Sequence, residues 1–171
     1  MPMKKVLWSA VLALGVAALV AAAPAPAPAQ EKLQGKAFDT AVPKDFYLEG
    51  NAIPVQKRNT VVLKAADGKR MVFGLLDTTG YSSEIQAKYA GMMILEGKAT
   101  VGGTAVPAGA YGFGLQKPTP PEGPGHLIVY DVGGTKVAEV PAAYDKALAQ
   151  PVPLQFTGGK LCIGRHCVEV K

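Results

Sequence analysis

Histidine, cysteine and serine are scarce in this 171-residue chain, which holds two histidines and two cysteines. Past residue 29 the only serines are Ser82 and Ser83, side by side at what reads as a helix start. Neither sits in a G-x-S-x-G elbow, so a serine triad has no nucleophile in the right setting. A phosphate-cradling P-loop, a G-x-G-x-x-G after a strand and an H-E-x-x-H helix are all missing. So are C-x-x-C and C-x-x-C-H, which excludes thioredoxin-like and haem-attachment motifs. The acidic residues stand singly and suggest no pair for general acid and base work. Basic residues exceed acidic ones, 18 to 13, but they are scattered; Lys57-Arg58 and Lys69-Arg70 are the only adjacent pairs beyond the N-terminus. That distribution lacks the stripe by which a nucleic-acid binder meets phosphates, and no nucleic-acid partner is expected.

Long apolar runs are missing too, with one exception. Val6 to Ala23 is apolar, follows Lys4-Lys5 and precedes a stretch of alanine and proline, the layout of a secretory signal. Proline disfavours cutting after Ala23, Ala25 or Ala27, which leaves the small-x-small site Ala27-Pro28-Ala29 and a mature chain starting at Gln30. The alternative is an uncleaved anchor, because the run is close to the shortest that spans a bilayer. We read residues 1–29 as a cleaved signal and expect a periplasmic or secreted protein with no membrane insertion after cleavage. No cysteine near the site could carry a lipid. Residues 30–171 then have the length of one ordinary domain.

Sustained helical periodicity is rare as well. Short runs of Val, Ile, Tyr and Phe alternate with glycine and proline signals, the pattern of β-sandwiches and barrels. We expect an all-β fold: a single antiparallel β-sandwich or partly open barrel with one or two short helices. Thr60–Asp77 reads as a hairpin turning at Asp67-Gly68, a pair that accepts the positive φ of a type I′ turn. His126–Val140 repeats the device at Gly133-Gly134, in a register that sets Asp131 opposite Lys136. Between Met92 and Val101, alternation puts Met93, Leu95, Ala99 and Val101 on one face and Glu96, Lys98 and Thr100 on a wet one. One helix is expected in Ser82–Gly91, where Ser83 and Gln86 have capping-box spacing, Gly91 ends the turn, and Ile85 and Tyr89 share the face that plugs an open end. A second is expected in Ala142–Gln150, fenced by Pro141 and Pro151. The loop Lys117–Gly125 is too rich in proline and glycine for a ladder; it is either a solvated connector or a partner-facing loop.

Within Val101–Leu115, the run Val106-Pro107-Ala108-Gly109-Ala110-Tyr111 resembles a Pro-Ala-Gly-x-Tyr element found in secreted bacterial β-sandwich domains, many of them uncharacterised. Proline fixes φ, glycine permits a tight bend and tyrosine opens the next inward row. The resemblance implies that class of fold, and it assigns no functional residue. Beyond it, Tyr111, Phe113 and Leu115 alternate with Gly112 and Gly114, so one face of the strand is bare. That face, with His126, is either a shallow ligand platform or a seat for close packing against a helix or neighbouring strand.

The C-terminal stretch KLCIGRHCVEVK holds both cysteines and one histidine. Gly164-Arg165 fits a II′ turn, which pairs Ile163 with His166, Cys162 with Cys167, Leu161 with Val168 and Lys160 with Glu169. Cys162 and Cys167 then occupy a non-hydrogen-bonded pair, where side chains are closest, and in an oxidising compartment they are expected to form a disulfide. His166 points to the opposite face from Cys167 and the only other histidine is His126, so neither a metal nor another cofactor is expected. Two functions remain. One is an exported binding or interaction module with a disulfide-stapled hairpin, offering Lys117–Gly125 or the Gly112–Gly114 face to a protein or small-molecule partner. The other is a periplasmic enzyme with a site near His126 at one end of the sandwich. A deep pocket joining His126 to carboxylates would favour the enzyme; a filled core with shallow surfaces would favour the module.

Overall fold

The computed structural model describes residues 30–171, and the segment read as a signal lies outside the described residues. Along the chain come β1 (Glu31–Lys32), α1 (Gly35–Ala41), β2 (Asp45–Leu48), β3 (Asn51–Lys64) and β4 (Arg70–Leu76). Next are α2 (Ser83–Lys88), β5 (Gly91–Leu95), the short β6 (Ala99–Val101) and β7 (Thr104–Val106), and β8 (Gly109–Gln116). β9 (Gly125–Asp131), β10 (Lys136–Tyr144), β11 (Gln155–Thr157), β12 (Lys160–Ile163) and β13 (His166–Glu169) follow. One antiparallel sheet takes the order β1-β3-β4-β5-β8-β9-β10-β13-β12-β11, with β2 added on β3 and β6-β7 forming a separate ribbon. The sheet curls until β11 lies against β3 without pairing with it. The fold is thus all-β, a half-barrel open along one seam.

Alternation sorts each strand's side chains between two cores. Leu63, Phe73, Met93, Phe113, Val129 and Val140, one from each successive strand, fill the concave interior. On the opposite face Val62, Val72 and Met92 are sealed by Phe46, Leu48 and Ile53 of the β2-β3 hairpin and by Ile85 and Tyr89 of α2. The hairpin reaches that outer face because β3 breaks register between Val55 and Thr60, where the Gln56 side chain donates to Leu76 O at 2.9 Å and the Thr60 hydroxyl to Gln56 O at 3.0 Å. Met93, Leu95, Ala99 and Val101 are buried as expected, while Glu96 and Lys98 stay exposed.

Both glycine hairpins form, but each turn is one residue longer than expected. Ala65 N–H reaches Lys69 O at 2.8 Å and Gly68 N–H reaches Ala65 O at 2.9 Å, with Gly68 left-handed at φ +85°. This is a three-residue turn with a glycine bulge, and Asp67 needs no positive φ. At Gly134 the same turn puts Asp131 on Thr135 and Tyr130, not Asp131, opposite Lys136. The physical reason is local: the Asp131 carboxylate turns back to accept from Thr135 N–H at 2.8 Å, closing the longer loop.

The helices also shift. α2 is capped by Ser82, whose hydroxyl accepts from Ile85 N–H at 3.3 Å, and it ends at Tyr89, so Ser83 is not the cap and Gly91 begins β5. It packs on the outer face of the sheet, not in an end. Ala142–Gln150 is not helical: Ala142 is buried as part of β10, and Arg165 takes the carbonyls of Asp145, Lys146 and Leu148 that a helix would use itself. Helix α1 carries no signal in the sequence, since Gln34 supplies no side-chain cap; it is held through Phe38, Ala41 and Val42 on the outer core.

Candidate functional site

Gly112, Gly114 and His126 do share one face, because Gly112 pairs with Tyr130, Gly114 with Ile128 and Gln116 with His126. The glycines are covered. A Cβ at Gly112 would lie 2.7 Å from the Tyr89 ring, and one at Gly114 would lie 2.2 Å from the Lys88 carbonyl oxygen. The bare strand is the seat of α2, whose backbone comes too near for any side chain beneath it. The ligand platform suggested at Gly112 and Gly114 is therefore already filled by the protein's own helix.

Where α2 ends, a polar cluster closes over the seat. The Glu49 carboxylate accepts from Tyr89 OH at 2.6 Å and pairs with Lys88. The Lys88 ammonium stands 4.9 Å from the Tyr130 ring and 5.3 Å from that of Tyr89, and the two rings meet edge to face at 5.5 Å. Glu49 holds its place at a backbone cost: it is left-handed, φ +49°, and with Gly50 makes the two-residue turn of the β2-β3 hairpin. Its N–H donates to Val132 O at 2.8 Å, and a Cβ on Gly134 would strike its carboxylate. Three segments thus meet on one side chain. Hydrogen bonds from Lys88 and Tyr89 hold the Glu49 carboxyl below its usual range, while burial, with the bond to Glu49, pushes the Tyr89 phenol up. Sequence reasoning missed this cluster. The Glu49-Gly50 turn was available as a signal between DFYL and NAIPV, but its partners lie some forty positions away.

At the C-terminus the hairpin has the expected register throughout, with Gly164 left-handed at φ +60°. Cys162 and Cys167 form a disulfide across a Cα separation of 4.1 Å, as befits the closer kind of antiparallel pair, and both are buried. Arg165 clamps the preceding loop, its guanidinium donating to Leu148 O at 2.8 Å. His166 is buried, edge-on to Tyr144 at 5.3 Å, with Nε2 3.1 Å from Gly123 O. It thereby anchors the proline loop.

His126 has 53% of its side chain exposed, and its Nδ1 lies 3.5 Å from Glu139. Glu139 is shared with Lys136 at 2.9 Å, and the hydrogen bond from Lys136 keeps its carboxyl acidic. No other carboxylate is paired with His126 among the described residues. Two open depressions flank the disulfide, about 410 Å³ beside Pro141, Ala143 and Cys167 and about 290 Å³ beside Asp145, Leu148 and Cys162; neither contains a histidine. Among the described residues no three of His, Cys, Asp and Glu gather closely enough to hold a metal, and no helix is long and apolar enough to cross a membrane. Comparison with protein-family models, curated proteins and solved structures finds no match for the chain.

Proposed function

We propose that the protein is an exported interaction module of the periplasm or cell exterior, which binds through its surface rather than around an interior cavity. The observation that carries this reading is the filled half-barrel: its concave side is solid with Phe73, Met93, Phe113 and their neighbours, and the one bare strand face is occupied by α2. The buried disulfide fits an oxidising compartment. The proline loop Lys117–Gly125, tethered by His166, offers an exposed surface around Thr119–Glu122. An enzyme centred on His126 has less support, since the histidine faces solvent with a single, already shared carboxylate.

The exported form is expected to begin at Gln30, and intact mass of protein taken from its own compartment checks this; a product retaining Val6–Ala23 identifies an anchored protein instead. Function is tested by placing a photo-crosslinking residue at Thr119, Glu122 or Tyr47 in the exporting cells. A discrete adduct that persists in His126→Ala is the expected result. No adduct from any surface position, or a chemical turnover abolished by His126→Ala, would overturn the reading.

A further inference from the structure

The β2-β3 hairpin leaves an edge strand uncovered. Its two-residue turn, Glu49 at φ +49° and Gly50 at φ +77°, makes Leu48 and Asn51 the hydrogen-bonded pair. Alternating outward, Phe46 and Ile53 are bonded, whereas Tyr47-Ala52 and Asp45-Pro54 are not. Pro54, with no N–H to give, fits that phase. The N–H and C=O groups of Asp45 and Tyr47 therefore point away from β3. No backbone or side-chain hydrogen bond engages them among the described residues.

The next residue of the same phase shows that this edge accepts another stretch of main chain: Glu49 N–H is bonded to Val132 O of the protein's own β9-β10 turn. Open edges are normally protected by lysine, proline, a bulge or a covering element. Within Asp45-Phe46-Tyr47-Leu48 there is no lysine, proline or register break; its protection is limited to its short length and the charge of Asp45, with Pro43 and Lys44 just before it. The opposite end of the sheet differs, because β11 lies against β3. β2 is also firmly seated, with Phe46 and Leu48 buried in the outer core. Beside its free groups stand two of the most exposed large apolar side chains of the described protein, Tyr47 at 67% and Val132 at 49%. An aromatic ring bared next to unpaired main-chain groups is the combination that strand-adding peptides use.

We propose that the β2 edge binds an extended segment of a partner polypeptide by strand addition, the segment pairing with the main chain of Asp45 and Tyr47 and laying an apolar side chain on Tyr47. This rests on the interaction-module reading and names the partner's chemistry. A second copy of the chain fits less well. In a two-fold antiparallel pairing with Asp45 opposite Tyr47 of the other copy, the position facing Glu49 would fall to that copy's Pro43, and Val132 already fills it. A segment that ends or turns at this rung meets no such obstacle.

The test uses a displayed library of random heptapeptides, selected on the exported, disulfide-bonded protein. Selected peptides should be rich in β-branched and aromatic residues and should slow hydrogen exchange at the Asp45 and Tyr47 amides. Tyr47→Pro removes an outward N–H without breaking a β2-β3 bond, and should weaken binding roughly tenfold, the equivalent of one main-chain hydrogen bond. Tyr47→Lys retains the N–H, guards against a folding defect in the proline variant, and should weaken binding in the same direction. Lys98→Ala, at an exposed position outside β2 and the proline loop, should bind as the parent does. Failure to select any peptide, peptides that bind Tyr47→Pro as well as the parent, or concentration-dependent dimers abolished by Tyr47→Pro would each overturn strand addition at β2. The interaction-module reading would survive those results if crosslinks from Thr119 or Glu122 persisted.

Discussion

Tyr111 shows what the Pro-Ala-Gly-x-Tyr element does in this protein. Its ring is buried and its hydroxyl donates back to Pro107 O at 3.0 Å, in the manner of the tyrosine corners of β-sandwiches. The ring folds over Gly109, where a Cβ would lie 2.9 Å from the hydroxyl, so the glycine is needed for space. Tyr111→Phe should therefore cost about 1 kcal/mol, measured as a lower denaturation midpoint at unchanged slope. At Glu49 and Tyr89 the two pKa shifts act at opposite ends of the pH range. Just above the usual phenol value of 10.0 the unfolded chain has released the Tyr89 proton while the folded chain keeps it, so stability falls as pH rises. Below the usual 4.5 the unfolded chain protonates Glu49 before the folded chain does, so stability falls as pH falls. Melting temperatures should show Tyr89→Phe losing the alkaline component and Glu49→Gln losing the acidic one. Unchanged profiles in both variants would mean that the cluster contributes nothing to folding.

The C-terminal hairpin is the element with the most redundant support. The disulfide closes a short loop, Gly164 N–H reaches the carbonyls of Val152 and Pro153, and Arg165 holds the Asp145–Leu148 turn. Replacing both Cys162 and Cys167 with serine should cost about 2 kcal/mol in the chain-entropy view, a shift of several degrees in thermal melts, while leaving the fold intact. Collapse of the double variant would show that the staple sets the fold; no shift would show that the surrounding clamps suffice. The hairpin's register could be read in advance because turn, charge pair and cysteine pair lie within ten residues, from Lys160 to Glu169. The β9-β10 hairpin could not, because the Asp131 side chain competed for the turn and lengthened it by one residue.

Across the whole molecule, the described residues are 52% strand and 9% helix, and the sheet stays open where β11 meets β3. A seam joined by side chains alone should open more readily than the paired strands. Amide exchange should be fast at Phe156 in β11 and slow at Val129 in β9, which is paired on both sides. Comparable protection at the two sites would mean that the barrel closes in solution. Fold class, the strands near glycine and proline signals, and the disulfide partners were legible in the sequence, since turn chemistry and period-two alternation act over a few residues. Whether the Gly112–Gly114 face was a platform or a seat was not, and neither was the meeting of Glu49 with Lys88 and Tyr89. Those outcomes depend on the bend in β3 and on where α2 lands on the sheet, and both are set by packing between segments remote in the chain. Tertiary structure alone decided which faces were filled, because side chains from distant strands compete for the same space, and that competition left the edge of β2 open.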